Sequence, residues 1–167
     1  INVLSKLAGA KVVVTDVGIK GEPIRHPNLK LRKIRPGTRN MAREAAMTRE
    51  EAVAAIEAGI ELVNEEIKKG ATLIGTGEMG IGNTTPSSAI LAAFSGMDVE
   101  ILTGRGTGLN ESSLKKKKQV IKKALEINRP DPDDPLDVLA KVGGLEIAAL
   151  TGVVLGAAAQ RIPVVID

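Results

Sequence analysis

Ala71-Thr72-Leu73-Ile74-Gly75-Thr76-Gly77-Glu78-Met79-Gly80-Ile81-Gly82-Asn83-Thr84-Thr85-Pro86 runs from a short apolar, β-branched segment into a glycine-rich loop and then into a helix start. Residues 71–75 predict a strand, and Thr85 followed by Pro86 predicts an N-cap with proline at the first helical position. Strand, glycine loop and helix in succession are the building unit of an α/β fold. Gly77, Gly80 and Gly82 let the backbone turn sharply and approach a ligand closely, while the free N–H groups at the helix start carry partial positive charge. Asn83, Thr84 and Thr85 add side-chain donors at the same point. A phosphate suits this cradle. Glu78 does not, because a carboxylate beside an anion site repels the anion unless it acts on another part of the ligand. The pattern therefore points to a substrate with a phosphate end and a cationic or proton-exchanging end. The spacing differs from a Walker motif, since no Gly-Lys-Ser/Thr follows.

Working outward, residues 11–18 read as a buried strand that ends in Asp16 and a turn glycine. Residues 19–40, rich in Lys, Arg and proline and with little periodicity, read as a long functional or mobile loop. Thr48-Arg49-Glu50-Glu51 is a capping box, and Val53, Ile56, Ile60, Val63 and Ile67 give the following helix, up to Gly70, one buried face. Beyond the glycine loop, residues 86–94 predict a small-residue helix and residues 99–102 the next strand, which leads into a second glycine loop at residues 104–108. Ser112 or Ser113 is placed to cap a basic helix reaching about Glu126. A proline-rich break at residues 129–135 separates it from helices over 135–142 and 145–160 and a last strand over 162–167. This order predicts an α/β fold: a doubly wound, mainly parallel, Rossmann-like sheet flanked by helices, as a single α/β domain over residues 1–167, with ligands beyond the strand C-termini. Asp16, Glu78, the second glycine loop and Asp167 all fall at such ends.

Composition narrows the function. The chain has 167 residues, 43% of them apolar and 26% charged, enough to bury one normal core. With no cysteine, disulfides, cysteine-zinc sites and thiol nucleophiles are excluded, and the chain suits a reducing cytoplasm. The longest apolar run, residues 147–159, is interrupted by Thr151, Gly152 and Gly156 and falls short of the ~20 residues that span a bilayer. The first seven residues lack the basic-then-apolar order of a signal peptide and read as the inside of an element. A net charge of +3, concentrated at Lys115 to Lys118 and Lys122-Lys123, with Phe94 as the only aromatic residue, argues against nucleic-acid binding. His26 has no second histidine or cysteine near it, so no metal site is expected.

GEMGIGNTT at residues 77–85, KIRPGTRNMAREAAMTREEA before it, and GRGTGL and GGLEIAALTGVVLGAAAQRIPVVID after it stand in the order of nicotinate-nucleotide–dimethylbenzimidazole phosphoribosyltransferase, which the chain resembles. The resemblance covers essentially the whole chain, which corresponds to the middle of such an enzyme. It implies phosphoribosyl transfer from nicotinate mononucleotide to 5,6-dimethylbenzimidazole, giving α-ribazole 5′-phosphate and nicotinate. These two small molecules are then the partners, in a homodimer, with no cofactor and no membrane association. It implies that Glu78 lies near the benzimidazole and ribose as an auxiliary catalytic acid, the principal base belonging to a glycine-rich segment beyond residue 167. It implies that Lys117, pointing back toward Gly106, contacts the nucleotide phosphate. Gly80, Gly82, Asn83, Thr84, Thr85, Gly106 and Thr107 complete the substrate-binding set. Asp16 and Asp167 are candidates for ribose contact or for structural roles at their strand ends. Arg105 stands between phosphate ligand and surface charge, and the neighbouring lysines read as a solvated helix face. The basic segment 32–43 either closes over the site or meets a partner subunit. Two alternatives stay open: a nucleotide-phosphate binding domain without turnover, and a relative acting on another phosphorylated ligand.

Overall fold

Small residues recur on the facing sides of two helices, and their contact organises the molecule. The computed structural model describes residues 1–106 and 108–166. In chain order the elements are α1 (Asn2–Leu7), β1 (Val14–Asp16), β2 (Leu29–Leu31), α2 (Arg49–Lys68), β3 (Ile74–Gly75), α3 (Thr84–Ser95), α4 (Val99–Leu102), α5 (Glu111–Asn128), α6 (Pro135–Val142), α7 (Leu145–Ala159) and β4 (Val164–Val165). Helices α2 and α7 pack backbone against backbone. A Cβ added at Gly59 would lie 1.9 Å from the Ala149 carbonyl oxygen, and one at Gly152 would lie 1.9 Å from that of Ile56. Glycine is required at both positions by this close approach rather than by an unusual φ.

Around this pair the core falls into three connected parts. Ala52, Ala55, Leu145 and Ala148 pack with Ala46, Met47 and α6 at one end of the two helices. At the other end Val63, Val153 and Ala157 meet Ile74 and Val164 of β3 and β4. The third part holds α3, α5 and α6 together through Ala89, Ile121, Ala124, Val138 and Val142.

The strands are short. β1 pairs in parallel with β2, Val14 opposite Leu29, and β3 pairs in parallel with β4, Ile74 opposite Val164. Among the described residues there are thus two separate two-stranded parallel sheets where the sequence predicts one. β2 lies inside the segment read as an aperiodic loop; three residues alternating Leu-Lys-Leu amid prolines carry too little pattern to announce a strand. Residues 99–102, expected as a strand, form a helical turn. Asp98 Oδ1 accepts the Glu100 N–H at 2.9 Å as an N-cap, and only Val99 is buried, against α3 and α5. Two helix starts also move. α3 begins at Thr84 with Asn83 as its N-cap residue, so Pro86 sits within the first turn, where its missing N–H costs nothing. α5 is capped by Asn110, whose Oδ1 accepts the Ser113 N–H at 2.9 Å, in place of Ser112 or Ser113.

The capping box on α2 forms as its sequence requires, Thr48 Oγ1 accepting from Glu51 N–H and Glu51 Oε2 accepting from Thr48 N–H. The same Glu51 accepts hydrogen bonds from Arg39 at 2.8 Å and Arg35 at 3.1 Å, which gives the basic segment 32–43 a physical role: it clasps the start of α2. Further along α2, Glu66 is buried and accepts from Lys11, Lys30 and Lys69.

Substitution at the helix contact should be costly. Gly152→Ala must push two backbones apart and is expected to cost about 2–3 kcal/mol in urea unfolding. Gly75→Ala, whose added Cβ meets nothing within 4 Å, is expected to shift stability by less than about 1 kcal/mol. Acid should also weaken the fold. Hydrogen bonding from Lys11, against the upward pull of burial and with help from Lys30 and Lys69, holds the Glu66 carboxyl at about 2 instead of 4.5. Burial raises Glu51, but Arg39, the Thr48 N–H and Arg35 outweigh it and bring that carboxyl also to about 2. A depressed folded-state pKa stabilises the fold above the unfolded value, and the contribution is lost as pH falls through the folded one. Thermal melting temperature should therefore drop between pH 4.5 and 2, and the drop should be visibly shallower in Glu51→Gln/Glu66→Gln.

Candidate functional site

The glycine loop leaves β3 at Gly75, and β3 is held by β4, which continues from α7. Gly80 and Gly82 adopt φ of 73° and 78°, left-handed turns that favour glycine, and the loop they shape has a hollow on each side. The first, about 200 Å³, is bounded by Gly80, Ile81, Gly82, Thr84 and Thr85 on one side and by Arg105, Leu109 and Lys117 on the other. The second, about 250 Å³, has Thr76, Glu78, Asn83 and Ser87 at its polar edge and Ile147, Leu150, Val154 and Ile166 as its aliphatic wall. The single loop thus separates a cationic hollow from an acidic one. The Glu78 carboxylate is oriented locally by the Gly80 N–H, which donates to it.

Lys117 joins the two glycine loops. It projects from α5, is only 8% exposed, and its Nζ donates to Thr84 Oγ1 at 2.9 Å and to the Gly104 carbonyl at 3.3 Å. Gly106, at φ 57°, closes on the same spot: an added Cβ would lie 2.8 Å from Thr84 Oγ1 and 3.5 Å from Lys117 Nζ. No carboxylate pairs with Lys117 among the described residues, and burial lowers its pKa. Its neighbours behave differently. Lys118 and Lys122 both pair with Glu100, each at 2.9 Å. Arg105 lines the cationic hollow while donating to the Leu109 carbonyl and pairing with Glu111.

The structure brings together Gly80, Gly82, Thr84, Thr85, Gly106 and Lys117 around the first hollow, and Glu78 with Asn83 at the second. Asp16 is not in either. It is 2% exposed, its Oδ1 accepts the N–H groups of Gly18 and Ile19 at 2.9 and 2.8 Å, and its Oδ2 stands 3.2 Å from Lys33. That arrangement satisfies it as a turn-closing carboxylate. Thr107 and Asp167 lie outside the described residues. His26 accepts the Asn28 N–H through Nδ1 on the exposed loop, and no group of three or more His, Asp or Glu side chains among the described residues is placed to hold a metal ion. No helix there is long and apolar enough to cross a membrane. Sequence reasoning missed Ser87, Leu109 and Glu146. Ser87 sits one turn beyond Asn83, an i, i+4 relation that a helix start at Thr84 makes readable. The other two are brought in by tertiary packing alone.

A family model described as Phosphoribosyltransferase matches residues 1–167. A relative from Geobacter sulfurreducens, named nicotinate-nucleotide–dimethylbenzimidazole phosphoribosyltransferase, is 58% identical over all of this chain and 47% of its own length. A relative of the same name from Geobacter metallireducens is 60% identical, again over 100% of this chain and 47% of its own. Among solved structures, CobT from Thermus thermophilus superposes with a TM-score of 0.93 at 45% identity, over 99% of this chain and 50% of that one. A second structure, of the nicotinate-nucleotide–dimethylbenzimidazole phosphoribosyltransferase from the same organism, gives a TM-score of 0.89 at 43% identity, over 99% and 48%. The chain spans about half the length of the curated relatives it matches.

The Lys117 charge, unpaired among the described residues, supplies a test of the first hollow. Lys117→Met keeps side-chain volume and removes the buried charge, so ligand-free stability should change by less than about 1.5 kcal/mol. Ribose 5-phosphate should raise the melting temperature of the unsubstituted chain, and in Lys117→Met that rise should disappear. Differential scanning calorimetry with and without the ligand reads both.

Proposed function

The chain belongs to this phosphoribosyltransferase family, and we propose that it holds the nucleotide phosphate and presents the acceptor-facing acid for phosphoribosyl transfer from nicotinate mononucleotide to 5,6-dimethylbenzimidazole. The products are α-ribazole 5′-phosphate and nicotinate. The observation that carries the reading is Lys117, a buried cation without a counter-anion among the described residues, set between two glycine loops. A phosphate there gains the lysine charge, the Thr84 hydroxyl and the N–H groups at the start of α3, and relieves a desolvated charge at the same time.

The reaction that the family resemblance implies uses both hollows. The nicotinate ring leaves as a pyridine whose nitrogen is already positive in the nucleotide, so its bond to the anomeric carbon breaks without protonation. Positive charge builds on the ribose, and Glu78, across the loop from the phosphate, stabilises it electrostatically. One benzimidazole nitrogen attacks the opposite face, inverting the anomeric centre. Its other nitrogen gives up a proton to a principal base that the family resemblance places after residue 167 in a longer enzyme. Phosphate anchoring holds the ribose for this attack. The leaving group carries no diphosphate to neutralise, so the reaction asks for no metal.

The same reading takes the β1–β2 and β3–β4 ladders as portions of a doubly wound, Rossmann-like sheet, in a cytoplasmic homodimer whose partners are these small molecules. A second reading is nucleotide binding without turnover: among the described residues Glu78 is the one acid that lines either hollow, and the principal base of the first reading is not among them.

Incubating the 167-residue chain with both substrates, while measuring nucleotide binding and α-ribazole phosphate formation, separates the two. Product formation supports transfer; binding without product supports the second reading; absence of nucleotide binding overturns both. Where product forms, Glu78→Gln should slow it by about 10-fold or more with nucleotide affinity within about twofold.

A further inference from the structure

We propose that Glu146 is a positioning residue for this site: its carboxylate holds the Asn83 carboxamide in one orientation and so sets the wall between the two hollows. The proposal rests on the reading of the site as a phosphoribosyl-transfer crevice.

The Asn83 side chain is fixed at both ends. Its Nδ2 donates to Glu146 Oε1 at 3.0 Å, and its Oδ1 lies 3.1 Å from Ser87 Oγ, a hydroxyl donor it shares with the Asn83 backbone carbonyl at 3.1 Å. With the amide nitrogen turned to an acid and the amide oxygen turned to a hydroxyl, flipping the group would set oxygen against oxygen, so a single orientation is favoured. The second N–H of that amide remains for a ligand in the acidic hollow, whose edge Asn83 shares with Glu78. Asn83 stands between Gly82 and Thr84, which both line the cationic hollow, while Asn83 itself lines the acidic one. Holding its side chain on the acidic side therefore holds the wall between the two hollows.

Glu146 is itself held. The preceding Leu145 is buried, and its Cδ1 occupies the space beside Gly18, only 2.2 Å from where a Cβ would be. The carboxylate lies over Gly144, with Oε1 2.4 Å and Oε2 2.7 Å from the position of an added Cβ. Asn83 is its one side-chain hydrogen-bond partner among the described residues. Glu146 does not line either hollow. Its influence passes through Asn83.

The test compares the unsubstituted chain with Glu146→Ala, Glu146→Gln and Gly144→Ala by titration with nicotinate mononucleotide and with 5,6-dimethylbenzimidazole, together with the side-chain amide resonances of Asn83. Glu146→Ala should weaken benzimidazole binding by about 10-fold and leave nucleotide affinity within about twofold. Glu146→Gln, which keeps an acceptor for Asn83, should restore benzimidazole affinity to within about threefold, and Gly144→Ala, which displaces the acid without removing it, should reproduce the alanine effect. Unchanged benzimidazole affinity in Glu146→Ala, equal losses in the alanine and glutamine variants, or equal weakening of both ligands would overturn the proposal. If the unsubstituted chain binds neither ligand, the reading of the site fails, and the amide resonances decide positioning alone. A displaced Asn83 pair in the unsubstituted chain and Glu146→Gln that collapses in Glu146→Ala upholds it; a pair unmoved by Glu146→Ala overturns it.

Discussion

The close backbone contact between α2 and α7 is the constraint on which the rest of the structure depends. Gly59 and Gly152 leave no room for a Cβ, and the third glycine of the contact, Gly156, would bring one to 2.6 Å from Val63. With the helix axes drawn this near, both ends of α7 are set. Its C-terminal end leads into β4, which pairs with β3 and so determines where the glycine loop begins. Its N-terminal end places Leu145 beside Gly18 and Glu146 beside Asn83. The loop is thus held at its start through the short sheet and at its finish through Asn83, although most of the residues between are exposed.

Among the described residues the buried carboxylates are matched, and the buried cation at this loop is not. Asp16 is satisfied by two N–H groups and Lys33, Glu66 by three lysines, and Glu51 by two arginines and a capping box. Lys117 is the contrast: buried, hydrogen-bonded only to a hydroxyl and a carbonyl, and without an acid among the described residues. A desolvated cation is costly unless something anionic completes it. On the other side of the same loop Glu78 is exposed, accepts from the Gly80 N–H, and has no cation paired with it among the described residues, so it faces the second hollow as an uncompensated acid. A ligand anionic at one end and cationic at the other answers both.

Much of this is legible in the residues because it is local. The capping box at Thr48, the 3.6-residue periodicity of α2 and the glycine-rich strand-to-helix passage each declare themselves within a few positions. Lys117 is separable from its neighbours only through a family resemblance, since a run of lysines on a helix looks alike from within; burial of one of them is a tertiary fact. β2 and α4 escape a sequence reading because their segments are three and four residues long. A hydrogen-bonded neighbour at β1 or a cap at Asp98 decides the outcome there. The Asn83–Glu146 pair spans 63 positions, and no pattern in either segment points to the other.

Two sides of one loop receiving the two ends of one nucleotide is the arrangement on which the functional reading stands. A crystal structure of the chain with nicotinate mononucleotide tests it most directly. The phosphate is expected within about 3 Å of Lys117 Nζ and of N–H groups at the start of α3, with the ribose directed toward Glu78. A phosphate bound away from Lys117, or a nucleotide lying wholly within the cationic hollow with its ribose turned from Glu78, would contradict it.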